Sequence, residues 1–432
     1  MRTLLKNCLI LGKELKDILI EDGYIMDIGK TNFKVDETID IKGYIVIPGA
    51  IDPHVHMRDP GFTYKEDWLS GSIGALTSGV TTVLDMPNTI PPTIDTSGLL
   101  EKRKAGEKSI VNYGFHFGAT KDNFIEIEKA KNMAGIKVFL SSNANFTIED
   151  KDTLRKVFET AKKIDKPVVV HSELEGCIRK NLEMFKHPDI FDHNKIRSKE
   201  CAIEATKLIL ELAKETGVTL YIAHITTKEE LELVEKARGE NVKVFAEATP
   251  HHIFLDETYL KDFGNFLKVN PPLRSVEDRV ALFEAVVQGK IDTIGSDHAP
   301  HTRDEKMRPY PMAPSGIPGV ETTMPLLINE ALEGRLPFER LVELTSKNAS
   351  RIFRIRARGE IKEGFFADLV VINPEETFTI KNDRLFTKAK FSPFEGRVLK
   401  GKIYLTMVNG IIKFFDGHII NTSKGTEVHF CD

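Results

Sequence analysis

The sequence predicts an α/β protein built as a (β/α)8 barrel with a small β domain contributed by both chain ends. Three observations predict it. Short apolar runs alternate with helical patterns from about residue 45 to residue 296, the texture of βα units around a parallel sheet. Polar residues of a few chemical types end those runs, where a barrel carries its chemistry. Short β segments broken by turns occupy both ends of the chain.

Residues 1–49 read as strands at 4–11, 17–21, 24–28 and 38–44, with Asp22-Gly23 as a hairpin signal. The eight barrel strands are read at 45–52, 80–86, 112–119, 135–140, 167–171, 219–224, 243–248 and 292–296. Helical stretches between them include 65–78, 122–132, 148–164, 198–216, 227–238 and 276–288. Thr227, followed by Glu229 and Glu230, reads as a helix cap with acidic residues in the first turn. Two more helical stretches, 321–333 and 337–354, close the barrel region, assigned to residues 50–355. Residues 356–432 return to β texture at 366–372, 402–408 and 411–415, with Asn409-Gly410 and Asp416-Gly417 as turns. The simplest arrangement joins residues 1–49 and 356–432 in one composite β domain. An open doubly wound sheet is the alternative, but it leads us to expect a Gly-rich phosphate loop after an early strand, and His-x-His stands there instead.

Composition bounds the function. The 432 residues are 41% hydrophobic and 29% charged, with a formal charge of −4, values of an ordinary globular protein and no signal for nucleic acid. No apolar run approaches the roughly 20 residues that span a bilayer, and Met1–Gly12 lacks a signal-peptide core. Cys8, Cys177, Cys201 and Cys431 are scattered and are read as reduced thiols of a cytoplasmic protein.

The residues that organise the chain follow the first barrel strand. Side chains alternate along a strand, so His54 and His56 share a face and can hold one metal ion. Taken singly, the histidines ending later strands read as hydrogen-bonded structural residues, and Asp297 reads equally as a helix cap. Together, His54 and His56 on strand one, His171 on five, His224 on six and Asp297 on eight make an N/O metal site. Lys137 lies inside an apolar strand. Either its stem is buried while the amine reaches the barrel mouth, or carbon dioxide converts the amine to a carbamate able to bridge two metals.

Asp52-Pro53-His54-Val55-His56-Met57-Arg58-Asp59-Pro60-Gly61 resembles the signature of the dihydroorotases, cyclic-amide hydrolases of the amidohydrolase superfamily. Asp85-Met86-Pro87-Asn88-Thr89-Ile90-Pro91-Pro92 and Ser296-Asp297-His298-Ala299-Pro300-His301-Thr302 resemble two further motifs of that family, and the similarity runs along the whole chain. The resemblance implies a distorted TIM-type barrel with a composite β-sandwich domain. It also implies two divalent metal ions, zinc foremost, with manganese and cobalt as chemical alternatives. His54, His56 and Asp297 would bind one metal, His171 and His224 the other, and Lys137 as a carboxylysine would bridge them. Arg58, Asn88 and His301 would bind the substrate α-carboxylate, and Asn270 the pyrimidine ring. Glu247 would stand behind the metal ligands, with no direct role.

The implied reaction is the reversible cyclisation of N-carbamoyl-L-aspartate to L-dihydroorotate with loss of water, a step of de novo pyrimidine synthesis. A hydroxide bridging the metals would act in hydrolysis, with Asp297 as general base and then acid. Dihydropyrimidinases or hydantoinases and allantoinases would share the metal residues, but their uncharged rings give Arg58 and Asn88 no carboxylate partner. A non-catalytic scaffold of the same fold is the reading from another class, and it sits poorly with a full ligand set. Expected partners are the small-molecule substrate, with a homo-oligomer or an association with aspartate transcarbamoylase, and neither nucleic acid nor membrane. The Pro-rich loop 301–319 reads either as a substrate lid or as a surface loop.

Overall fold

The computed structural model describes residues 1–29, 33–142 and 146–431; Asp432, the end of the expected C-terminal unit, lies outside them. Its barrel begins at Ala50–Val55, which pairs in parallel with Val80–Asp85, and that strand with Asn112–Phe115. The chain then bends at His116 and continues as Phe117–Gly118, which pairs with Ile136–Phe139. Val168–His171, Leu220–Ile222, Val244–Ala248 and Thr293–Ile294 follow in order, each parallel to its neighbour. A bridge between Val55 and His298 brings the eighth strand back to the first. The third strand is thus divided between a three-stranded and a six-stranded sheet, and this is where the barrel is distorted.

The strand read at 45–52 is corrected to two strands. Ile45–Pro48 belongs to the terminal domain, antiparallel to Leu369–Thr379 and parallel to Arg2–Ile10, whereas Ala50–Val55 opens the barrel. Gly49 is the joint. Its N–H donates to Asp368 O at 2.8 Å, and the next N–H, of Ala50, donates to Gly79 O at 3.0 Å in the barrel. A Cβ at Gly49 would collide with the Thr81 side chain. Both strands are fully buried, so hydrophobicity runs through the joint without a break.

Among the described residues both chain ends meet in one nine-stranded sheet, eight strands in a continuous path and Glu37–Asp40 branching from Arg2–Ile10, in which Ile45–Pro48 lies between Arg2–Ile10 and Leu369–Thr379. Its own core includes Leu5, Ile18, Val46, Leu369, Val371 and Leu405. The barrel is wrapped by helices whose ends follow local capping. The stretch read at 65–78 is a helix only over Trp68–Thr77, because Asp67 stops it by accepting from Ser70 N–H at 2.8 Å. Thr227 caps Lys228–Gly239 as expected, and Glu230 completes a capping box. Thr96–Gly106 and Glu175–Leu182 are further helices, outside the stretches singled out in the sequence.

The thiol expectation is corrected at one pair. Cys177 and Cys201 form a disulfide, with Cα atoms 5.5 Å apart, while Cys8 is buried and free and Cys431 exposed and free. Helix Glu175–Leu182 packs against Lys199–Thr216, an approach that a separation of 24 residues does not announce. Among the described residues no helix is long and apolar enough to cross a membrane.

Candidate active site and metal centre

The strand ends surround a cavity of about 210 Å³. It is lined by His54, His56, Lys137, His171, His224 and Asp297, and by Arg58, Asn88, Asn270 and His301. Strand alternation puts His54 and His56 on one face, as read from the sequence. Their Nε2 atoms lie 3.3 and 3.1 Å from the same oxygen, Asp297 Oδ1. Across the cavity His171 Nδ1 lies 2.9 Å from His224 Nε2, and the His224 and His54 rings are 5.4 Å apart.

The orientation of three of the four rings is set from behind. His54 Nδ1 is held by Glu247 Oε1 at 2.8 Å, His56 Nδ1 by Asn88 Oδ1 at 2.8 Å, and His171 Nε2 by Glu173 Oε2 at 2.9 Å. An oxygen acceptor on one ring nitrogen places the proton there and leaves the other nitrogen's lone pair facing inward. Burial pushes His54, His56 and His224 well below the ordinary imidazole range. It lowers His171 too, against the opposing pull of Glu173. The rings are therefore neutral at physiological pH, the form that ligates metal.

His224 Nδ1 is buried without a hydrogen-bond partner among the described residues, so nothing behind that ring competes for its orientation. Three groups, His54, His56 and Asp297, bring their ligand atoms within 4.8 Å of one another. Four inward imidazole nitrogens with one carboxylate form a donor set suited to divalent ions of the zinc type.

Lys137, on Ile136–Phe139, is fully buried and its amine stands 5.0 Å from the Phe139 ring centroid. Burial draws its pKa below the ordinary lysine value, against the opposing charges of Glu247 and Asp297. A neutral amine is thus accessible near physiological pH.

Glu247, given no direct role from the sequence, is the hub beneath the site. It accepts from His54, from Tyr221 Oη at 2.7 Å and from His224 N–H at 3.0 Å. Arg58, His224 and Asp297 have φ of 59°, 39° and 43°, left-handed conformations that strand-to-loop turns impose at these side chains. For Asp297 this geometry replaces the helix-cap alternative: it begins no helix and faces the two histidines.

The residues read as substrate contacts gather on one side of the cavity. Arg58 Nε donates to Pro300 O at 3.2 Å, and its Nη2 lies 3.1 Å from His301 Nε2. Because Asn88 Oδ1 is taken by His56, its amide nitrogen is left to donate. Asn270 Nδ2 donates to Ser142 Oγ at 3.2 Å, and Asn270 Oδ1 accepts from His193 Nε2 at 3.1 Å.

Sequence reasoning missed several residues here. Phe139, Ser142, Ser315 and Gly316 also line the cavity, and Arg197 holds Glu173 through Nη2 at 2.6 Å. Loop 301–319 is tied down from inside. The Lys306 amine donates to the carbonyls of Lys268, Pro314 and Gly316, and the Lys268 amine to those of Pro311 and Ala313. A lysine in a loop reads as solvated, so no sequence signal marked these anchors.

Residues 45–413 match the amidohydrolase family. The chain is 38% identical over 419 residues to the dihydroorotase of Methanosphaera stadtmanae, covering 94% of this chain and 95% of the relative. It is 36% identical to that of Halobacterium salinarum, covering 96% and 99%. Among solved structures, L-hydantoinase (dihydropyrimidinase) from Arthrobacter aurescens superposes with a TM-score of 0.94 at 28% identity, covering 99% of each chain. Dihydropyrimidinase from Brevibacillus agri superposes with a TM-score of 0.92 at 25% identity, covering all of both.

Proposed function

The chain belongs to the amidohydrolase family, and we propose that it is a dihydroorotase, a cyclic-amide hydrolase interconverting N-carbamoyl-L-aspartate and L-dihydroorotate. One observation carries the reading: Arg58, Asn88 and His301 line the same cavity as the histidine–aspartate cluster. A ring amide bearing an exocyclic carboxylate needs both sets. The hydantoinase fold likeness fits a shared scaffold, since the metal residues do not discriminate. Sequence identity favours the dihydroorotases, at 38% against 28%.

His54, His56 and Asp297 would hold one divalent cation, and His171 and His224 a second, with Lys137 as its carbamate shared between the two sets. Zinc suits these ligands best. When bound, the cations supply an acidified water and polarise the ring carbonyl. The chain's own residues do the rest. The Arg58 guanidinium pairs with the substrate carboxylate, and the Asn88 amide nitrogen donates to the same group. Asp297 takes the proton of the attacking hydroxide and gives it to the departing ring nitrogen; in synthesis it takes the proton from that nitrogen and returns it to the oxygen that leaves as hydroxide, which solvent protonates to water. Burial favours the neutral Lys137 amine, which is the form that adds to carbon dioxide. This substrate supports a place in de novo pyrimidine synthesis, and the cytoplasm is the compartment proposed with it.

The test is hydrolysis of L-dihydroorotate beside dihydrouracil, hydantoin and allantoin, in wild type and Arg58→Ala, with metal content measured. Preference for dihydroorotate that Arg58→Ala abolishes, with metal retained, supports the reading. Activity on the uncharged rings that survives the substitution moves the protein to the hydantoinase branch.

A further inference from the structure

We propose that Lys65 is a positioning residue: its ammonium fixes His301 as the Nε2–H tautomer, so that His301 and Arg58 present two donors to one anionic oxygen. The inference rests on the carboxylate-substrate reading above and deepens it.

Lys65 lies between the first barrel strand and helix Trp68–Thr77, and its side chain is largely buried. Its Nζ lies 3.1 Å from His301 Nδ1 and 3.0 Å from Glu305 Oε1. Glu305 is itself fixed, because its other oxygen completes a capping box with Thr302. A carboxylate at salt-bridge distance keeps the lysine charged, and an ammonium has three donors and no acceptor. His301 Nδ1 must therefore accept, and the ring proton sits on Nε2. Without substrate that proton rests on Ser315 O, 3.1 Å away, a bond that a substrate oxygen would share or replace.

The consequence falls on Arg58. Its Nη2 lies 3.1 Å from His301 Nε2, so in this tautomer two donors face each other. Neither satisfies the other, and an incoming carboxylate oxygen can accept from both. In the other tautomer Nδ1–H would turn towards Glu305 Oε2, now 3.8 Å away, and a bare Nε2 would accept from Arg58. The guanidinium would then spend a donor inside the protein. Lys65 prevents that internal pairing without touching the substrate.

The experiment begins with wild-type turnover of L-dihydroorotate; its absence overturns the substrate reading itself. Given turnover, Lys65→Met should raise KM about tenfold, the loss expected for one charge-assisted hydrogen bond, with kcat within about twofold and metal content unchanged. Lys65→Arg, which also only donates, should restore KM. In a His301→Ala background, Lys65→Met should add nothing. An unchanged KM in Lys65→Met, an equal KM increase in the His301→Ala background, or a KM that Lys65→Arg leaves raised would overturn the inference. A measurement on the intact protein stands beside the variants. Nitrogen-15 spectra of histidine-labelled protein, with the His301 signal assigned by its loss in His301→Ala, should show a bare Nδ1 and a protonated Nε2; a protonated Nδ1 would overturn the inference whether or not Lys65→Met folds.

Discussion

His54 and Glu247 form a buried pair, Nδ1 to Oε1 at 2.8 Å, in which the carboxylate also accepts from Tyr221 Oη and His224 N–H. One side chain thus orients the ring of a proposed ligand in one half of the metal centre and holds the backbone of a proposed ligand in the other. Glu247→Gln should lower metal affinity about 10–100-fold, the usual effect of losing a group that orients a ligand. Competition with a chelator of known affinity measures it. Unchanged affinity would reduce Glu247 to a packing role.

Asp297 lies within 3.3 Å of both His54 and His56 and is the carboxylate proposed to move the proton. Asp297→Asn should lower kcat about 10²–10⁴-fold, the range for a general acid–base group. Metal analysis of the variant separates the proton role from ligation: a variant that keeps both metals and most of its rate would remove Asp297 from the proton path.

Burial disfavours ionisation of Glu173, but Arg197 and His171 outweigh it and hold the carboxyl well below the usual range. A folded-state pKa below the unfolded value contributes stability above the ordinary glutamate pKa of about 4.3, lost as pH falls below it. Glu173→Gln should cost about 3 kcal/mol at pH 7, since it strands the buried Arg197. The difference from wild type should narrow as pH falls below about 4. Denaturant titrations across pH 3–7 check both the size and the sign; a constant difference would refute the ionic origin.

Burial pushes the Cys8 thiol up to about 12, so it stays protonated and unreactive at ordinary pH. Alkylation of folded, unreduced protein at about pH 8 should mark Cys431 and spare Cys8, as peptide mass analysis would record. Reducing Cys177–Cys201 should lower stability by about 3 kcal/mol on the chain-entropy account. A denaturation midpoint indifferent to reductant would show that the cross-link contributes nothing.

Much of this arrangement was legible along the chain. The alternation of βα units gave the barrel, and His-x-His ending an apolar run gave two histidines on one face, because strand geometry is local. His171, His224 and Asp297 could be listed as strand-end residues, since a parallel barrel carries all its strand ends to one face, and Lys137 stood out as a lysine inside an apolar strand. Where hydrophobicity was continuous across a change of sheet, as at Gly49, the boundary was invisible. The Cys177–Cys201 bond was likewise hidden, because it depends on how two helices pack.

By itself, then, the sequence determined which residue types stand at the ends of which strands and, through its resemblance to a known family, the reaction class to expect. These are properties of short windows, governed by side-chain alternation and capping. Only the tertiary structure decided how those residues are held: Glu247 behind His54, Arg197 behind Glu173, Lys65 against His301 and Lys306 beneath the loop. Each of these partners is a charged residue, and of the four only Glu247 was placed near the site from the sequence. Each is buried, or for Lys65 largely so, because the fold gives its charge an acceptor or donor, and that pairing exists only once distant segments have packed.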